Sequence, residues 1–193
     1  VTTLARYTPT KTQTIEFGYA RKTRSPNLYE RYTWSTGGMA MFMINMAGDG
    51  NGYVGNLDLE PEVAHTLSAT FDWHDARQQD WGLKVTPYYT YVDDYINARR
   101  CSTGDTKATS GTFCNAANLI PTDKFVFLKF VNQDAQLYGV DVSGHFPLAK
   151  NTGFGSFTAN GVLSYVRGET TSGTDDNLYN IMPLNAKLSV TQR

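Results

Sequence analysis

The stretch Trp81-Gly82-Leu83-Lys84-Val85-Thr86-Pro87-Tyr88-Tyr89-Thr90-Tyr91-Val92 sorts its side chains onto two unlike faces. Trp81, Leu83, Val85, Pro87, Tyr89 and Tyr91 fall on one side of an extended chain, and Gly82, Lys84, Thr86, Tyr88 and Thr90 on the other. Successive strand side chains point in opposite directions, so a period of two marks a sheet with one apolar and one polar face. Val63–His74 repeats the pattern, with Val63, His65, Leu67, Ala69, Phe71 and Trp73 opposite Ala64, Thr66, Ser68, Thr70, Asp72 and His74. It recurs in Phe157, Ala159, Gly161, Leu163 and Tyr165, in Met182, Leu184, Ala186, Leu188 and Val190, and in Ile15, Phe17 and Tyr19.

Working outward, the alternation predicts seven strands, at about 1–8, 12–24, 63–74, 81–99, 124–148, 154–168 and 181–193. The fifth is long, and Asn132–Gln136 reads as a bulge or as the base of a protruding hairpin. Links of two kinds alternate between them. Thr8–Lys11, Asp75–Asp80 and Ala149–Gly153 are short, whereas Ser25–Glu62, Cys101–Lys124 and Glu169–Ile181 are long.

A soluble β-sandwich also alternates, so periodicity alone does not choose a membrane. Two features favour a transmembrane barrel. The polar face is built from Thr, Ser, Asn and Gly more than from Lys and Glu, as suits a wet lumen. Short turns on one rim with long loops on the other are the habit of outer-membrane barrels, and a soluble domain rarely carries a structureless loop of such length. The fold expected is therefore all-β: an antiparallel transmembrane β-barrel wall, with residues 1–193 part of one barrel domain. Seven open-ended strands would leave two unpaired edges in hydrocarbon, so further strands are expected to complete the barrel.

Composition is consistent with this and closes other routes. The 193 residues are 40% hydrophobic, with 12 Tyr, 10 Phe, 3 Trp and 17 Gly. No apolar run approaches the ~20 residues of a membrane helix, and amphipathic rings favour membrane–water interfaces. The net charge of −1 comes without charge blocks, so no nucleic-acid partner is suggested. The residues from Val1 show no signal-peptide pattern, and a targeting segment is expected outside this sequence.

Four motifs resemble one family, the TonB-dependent outer-membrane receptors. Arg24-Ser25-Pro26-Asn27-Leu28-Tyr29-Glu30-Arg31-Tyr32, within the run from Tyr19, is similar to its strand-to-loop passage. Gly55-Asn56-Leu57-Asp58-Leu59-Glu60-Pro61-Glu62 is similar to its loop-to-strand return. Tyr88–Ile96, with Asp94-Tyr95-Ile96, resembles a strand end, and Leu137-Tyr138-Gly139-Val140-Asp141 a further strand. The resemblance implies a bacterial outer-membrane barrel of about 22 strands, plugged by an N-terminal domain. It implies import of metals or scarce metal chelates, such as copper or a siderophore-like ligand, with energy passed through TonB. Outer-membrane lipid and lipopolysaccharide would surround it. The plug domain, the TonB-binding segment and the final strands are expected outside residues 1–193. A barrel serving as adhesin or as phage or bacteriocin receptor is the alternative.

Met39, Met41, Met43 and Met46 crowd one glycine-rich loop. Thioethers are soft ligands suited to Cu(I), and the loop resembles the copper-receptor branch of the family. The competing reading is that Met fills irregular gaps against neighbouring loops or the plug. Asp49, Asp58, Glu60, Glu62, Asp93, Asp94, Asp175 and Asp176 flank the long links and could draw cations to the mouth. They also fit solvated loop acids, or acids binding divalent ions that bridge lipopolysaccharide. Asp49-Gly50-Asn51-Gly52 lacks the spaced carboxylates of a calcium loop. His65, His74 and His145 form no catalytic set, and no HExxH, P-loop or GxGxxG is present. No enzyme and no resident cofactor are expected.

Cys101 and Cys114 share one long link of an exported chain, where pairing is the plain reading and a metal or redox pair the weaker one. An unstrained bridge would stabilise that link by about 3 kcal/mol. Mass spectrometry of non-reduced peptides from envelope preparations should find the two cysteines linked; two free thiols there would refute the pairing.

Overall fold

The computed structural model describes residues 1–33, 52–77, 80–100, 127–171, 177–178 and 181–192. Met39, Met41, Met43, Met46, Cys101, Cys114, Asp49, Asp175 and Asp176 lie outside these residues. The described chain forms β1 (Thr2–Thr10), β2 (Gln13–Arg24), α1 (Leu28–Tyr32), β3 (Gly52–Val54) and β4 (Glu62–His74). It continues through β5 (Gly82–Arg100), β6 (Phe127–Thr152), β7 (Gly155–Thr170) and β8 (Asn185–Gln192). The sheet order is β1-β2-β4-β5-β6-β7-β8, each antiparallel to its neighbour, while β3 adds in parallel to the start of β6. Seven wall strands in sequential order match the alternation, and no described helix is long and apolar enough to cross a membrane.

Register carries each face across the sheet. Ile15, Phe71, Val85, Val142, Leu163 and Ala186 stand in one row, strand to strand. Leu67, Tyr89, Tyr138 and Arg167 stand in another, beside Tyr19. The next row outward is polar: Arg21, His65, Tyr91, Gln136 and Glu169. Apolar rows closed by tyrosine and then by polar residues are what a lipid face needs at its water boundary. On the opposite face, Thr66 and Thr90 share a 2.9 Å hydrogen bond, Thr70 and Thr86 one of 3.0 Å, and Lys84 lies 3.5 Å from Asp72. Arg6 pairs with Glu16 there, Asn160 donates to Thr191, and Ser164 donates to Asp141.

The apolar face is uncovered. Leu67 is 59% exposed, Val190 62% and Leu188 87%. A sandwich would bury these under a second sheet, and none lies over them among the described residues. The buried apolar cluster is instead Tyr53, Leu59, Ile96, Leu128 and Phe130, all beyond the level at which β4 ends against β5. The wall is thus solvated by something other than its own core.

The rims differ as the links predict. On one rim β1 and β2 join through Lys11-Thr12 and β6 and β7 through Gly153-Phe154, tighter than the sequence reading because β1 and β6 run further. In the third turn the Asp75 carboxylate accepts the N–H groups of Arg77, Asp80 and Trp81, at 2.9, 2.9 and 3.3 Å. On the other rim β5 and β6 continue as an arm. A strand tilted by ~45° needs only ~9–11 residues to cross hydrocarbon, and β5 has 19 and β6 26.

Three expectations change. The Ser25–Glu62 link contains α1 and β3 instead of being structureless. The last strand starts at Asn185, not at 181. Asn132–Gln136 does lie at the base of a protruding hairpin, but the extra residue belongs to β5: Asp93 and Asp94 together oppose Asp134, between the pairs Val92–Ala135 and Tyr95–Gln133. Asp94 takes φ 55°, and Asp is among the few residues that tolerate that region.

Leu163 and Asn160 lie on opposite faces of one strand, which sets a direct test. Leu163→Arg should cost about 2–4 kcal/mol at mid-depth, because a charge there meets lipid. Asn160→Arg should cost much less, its charge staying hydrated beside Thr191 and Ser189. Denaturant midpoints and heat-modifiable gel mobility of the full-length barrel read both; equal tolerance would contradict the assignment of faces.

Candidate functional site

The densest polar site among the described residues sits where β2 leaves the wall and β4 re-enters it. Arg24 and Glu62 are register partners at the ends of their strands. Arg24 donates Nε to Glu62 Oε2 at 2.7 Å and Nη2 to Glu62 Oε1 at 2.8 Å, a two-pronged contact of matched planar groups. Its remaining nitrogen, Nη1, donates to Glu30 Oε1 and Oε2 at 2.9 and 3.0 Å. One guanidinium therefore joins two carboxylates. Its hydrogen bonds with Glu62 raise the Arg24 pKa well above the ordinary value, against the lowering effect of partial burial and with further help from Glu30.

Local sequence explains how Glu30 arrives there. Asn27 caps α1 by accepting the Glu30 N–H at 2.8 Å, and Glu30 Oε2 accepts the Asn27 N–H at 2.7 Å. This reciprocal cap fixes the first turn of a helix too short to be stable alone. The same carboxylate is thereby aimed at Arg24. Glu62 has a second task, because its Oε1 accepts the Ile96 N–H at 2.8 Å, where the β5 arm has outrun β4 and presents an open edge.

The return segment locks onto this centre. Asn56 donates its backbone N–H to Glu30 O at 2.9 Å and its side-chain Nδ2 to Phe130 O at 3.2 Å. Gly55 donates to Thr33 O, and a Cβ at Gly55 would stand 2.5 Å from Arg31 O, so only glycine lets the two segments approach this closely. Arg31 Nη2 donates to Leu59 O, and Asn132 donates Nδ2 to both Glu60 O and Asp94 O, at 3.1 and 2.6 Å. Below, Gly139 lies under the Tyr88 ring, where a Cβ would run into Tyr165 O.

The acids proposed to draw cations separate on inspection. Glu62 is consumed by Arg24. Asp58 and Glu60 take part through backbone N–H groups held by Asn56 and Asn132. Asp93 lies 3.7 Å from His65 Nε2, Asp94 forms the bulge, and no group of three or more His, Cys, Asp or Glu among the described residues is placed to hold a metal ion. Of the histidines, His65 meets Tyr19, while His74, which meets Asp75 O, and His145, which packs against Gly82, stand in one row on either side of Gly82. The methionines and both cysteines lie outside the described residues. What sequence reading missed is the role of Arg24, Glu30 and Glu62 as one unit, although all three stood inside the quoted motifs.

What this arrangement does is mechanical. Residues 34–54 leave at Thr33 and return at Gly55, which are hydrogen-bonded to each other, so the Met-bearing segment is closed at its base. Arg24→Met should orphan two largely buried carboxylates. The cost should be roughly 2 kcal/mol, below the ~3–5 kcal/mol of a fully buried pair because Arg24 keeps 45% exposure. Adding Glu30→Gln and Glu62→Gln should recover much of it. Hydrogen exchange should accelerate at α1 in the single variant, and unchanged protection would show that the helix is held by other contacts.

Comparison with known proteins agrees with the geometry. No curated protein sequence matches the chain. The family described as TonB dependent receptor-like, beta-barrel matches residues 3–192. Among solved structures, "Copper transporter OprC" superposes with TM-score 0.63 at 16% identity, over 99% of this chain and 23% of that one. The siderophore receptor PirA from Pseudomonas aeruginosa gives TM-score 0.51 at 18% identity, over 88% and 30%. The chain thus spans about a quarter of the length of these structures. Such identities speak for the fold alone, and the family match is the stronger finding. The chain belongs to the TonB-dependent receptor β-barrel family of the bacterial outer membrane.

Proposed function

We propose that this chain is a wall segment of one barrel domain in an active importer that takes up a metal or metal chelate with energy delivered through TonB. The plug and the TonB-binding segment belong to other parts of the protein. The observation that carries the reading is the closed base at the rim. Thr33 and Gly55 hold both ends of the 34–54 segment beside Arg24 and Glu62, which by alternation share the polar face with Thr66 and Thr70. Met39, Met41, Met43 and Met46 belong to that 34–54 segment. Four thioethers within eight residues suit Cu(I), a soft ion that oxygen-rich sites bind poorly. Copper is the cargo in this reading, and a siderophore-like chelate is the runner-up.

Substituting Leu for all four methionines keeps bulk and removes sulfur. The full-length variant should bind Cu(I) about tenfold or more weakly, in keeping with the loss of several soft ligands. Copper accumulation in cells should fall with it, and should vanish without TonB. Unchanged Cu(I) affinity returns the methionines to packing. Copper uptake independent of TonB would contradict the import reading itself.

A further inference from the structure

At the short-turn rim, one row of the polar face carries two histidines. His74 ends β4 and pairs with Gly82, and Gly82 pairs with His145 of β6. Asn160 and Ser189 continue the row on β7 and β8. Between the two imidazoles stands a residue with no side chain. The nitrogen-bearing edge of the His145 ring lies over it: a Cβ at Gly82 would stand 2.9 Å from Cε1, 3.4 Å from Nδ1 and 3.8 Å from Nε2. Adjacent strands run ~4.8 Å apart, so the backbones of His74 and His145 are roughly 10 Å apart. Two imidazoles leaning inward span that gap with one ion between them, at metal–nitrogen bonds of ~2.0 Å.

Both rings border a hollow of about 560 Å³, where His74 is buried and His145 half-buried. His74 Nδ1 lies 2.9 Å from Asp75 O, which can only accept. In the neutral ring Nδ1 therefore carries the proton, and the lone pair sits on Nε2. A metal-bound histidine is held in the same way, with its other nitrogen donating to a carbonyl. A hydrogen-bond donor at Nε2 gives way to a metal ion, which takes the same lone pair.

We propose that His74 and His145 bind one Cu(I) ion over Gly82, at the short-turn end of the polar face. The donor set selects the ion. Among the described residues no third His, Cys, Asp or Glu joins the pair in a metal-holding group. Two neutral nitrogens suffice for Cu(I), which accepts linear two-coordination, and fall short of the four ligands that Zn(II) takes. Charge points the same way. In the neighbouring row Lys84 lies 3.5 Å from Asp72, and Lys187 adds a positive charge that opposes a divalent ion more than a monovalent one. As a station on a copper path the site rests on the import reading above; as a binding site it stands on this geometry alone.

Titration of the full-length protein with Cu(I) against a chromogenic chelator tests it. In otherwise unaltered protein, His145→Leu should lower the stoichiometry by one equivalent. With the four methionines changed to Leu, that equivalent should remain, and X-ray absorption should find nitrogen and no sulfur around it. Gly82→Val keeps both imidazoles but fills the gap between them, and should weaken this binding about tenfold or more. His65→Gln, on the outward face, should not. Unchanged stoichiometry in His145→Leu overturns the proposal, as does unchanged affinity in Gly82→Val or tighter retention of Zn(II) than of Cu(I). Failure here leaves Cu(I) binding by the methionines intact, whereas copper uptake that ignores TonB contradicts import and leaves these titrations unaffected.

Discussion

A backbone N–H or C=O inside hydrocarbon has no water to turn to, so it must be paired within the protein. Every other feature of this wall follows from that constraint. Seven strands in sequential antiparallel order pair their main chains from β1 to β8, and side chains are then free to divide by face. The rows through Val85 and Val142 meet lipid, while Thr70, Thr86 and Asn160 meet water or protein. Apolar residues that a soluble fold would hide, such as Leu188, can stay at the surface because the solvent on that side is itself apolar. The packed cluster of Tyr53, Leu59, Ile96, Leu128 and Phe130 appears only beyond the wall, where water returns and a conventional core becomes useful.

The same boundary explains why ion pairing concentrates at the rim. Where β2 and β4 end and the β5 arm continues, the sheet must acquire an open edge and two chain passages at one place. Arg24 resolves both with one side chain, because its planar donors bind Glu62 at the wall and Glu30 in α1 at once. Glu62 then covers the exposed Ile96 N–H. The arrangement is structural first. Its contribution to function is to fix where residues 34–54 begin and end.

Much of this was legible in the sequence, and physical reasons separate what was from what was not. Each wall residue reports its face independently of the others, so the alternation in Trp81–Val92 gave strands and faces without any long-range information. Link lengths gave the two rims. Of the two readings of Asn132–Gln136, bulge or hairpin base, the second holds; the extra residue lies opposite it on β5, because a bulge is a property of the pair, and Asp93-Asp94 opposite Asp134 shows only once register is known. α1 was hidden by its length, since five residues show no helical period, although Asn27 and Glu30 carried a capping signal. Arg24, Glu30 and Glu62 were present in the family motifs, but their union spans 38 residues and exists only once β2 pairs with β4. The Met and Cys sets lie outside the described residues, so the structure leaves those two readings as proposals.

The central claim is that one face of this sheet meets lipid and the other does not. Collision accessibility of nitroxide labels placed singly at Gly161, Val162, Leu163, Ser164 and Tyr165 in the reconstituted full-length protein tests it most directly. Contact with dissolved oxygen should peak at Gly161, Leu163 and Tyr165 and drop at Val162 and Ser164, with a polar nickel chelate excluded from the first set. A flat profile, or peaks at Val162 and Ser164, would contradict the account.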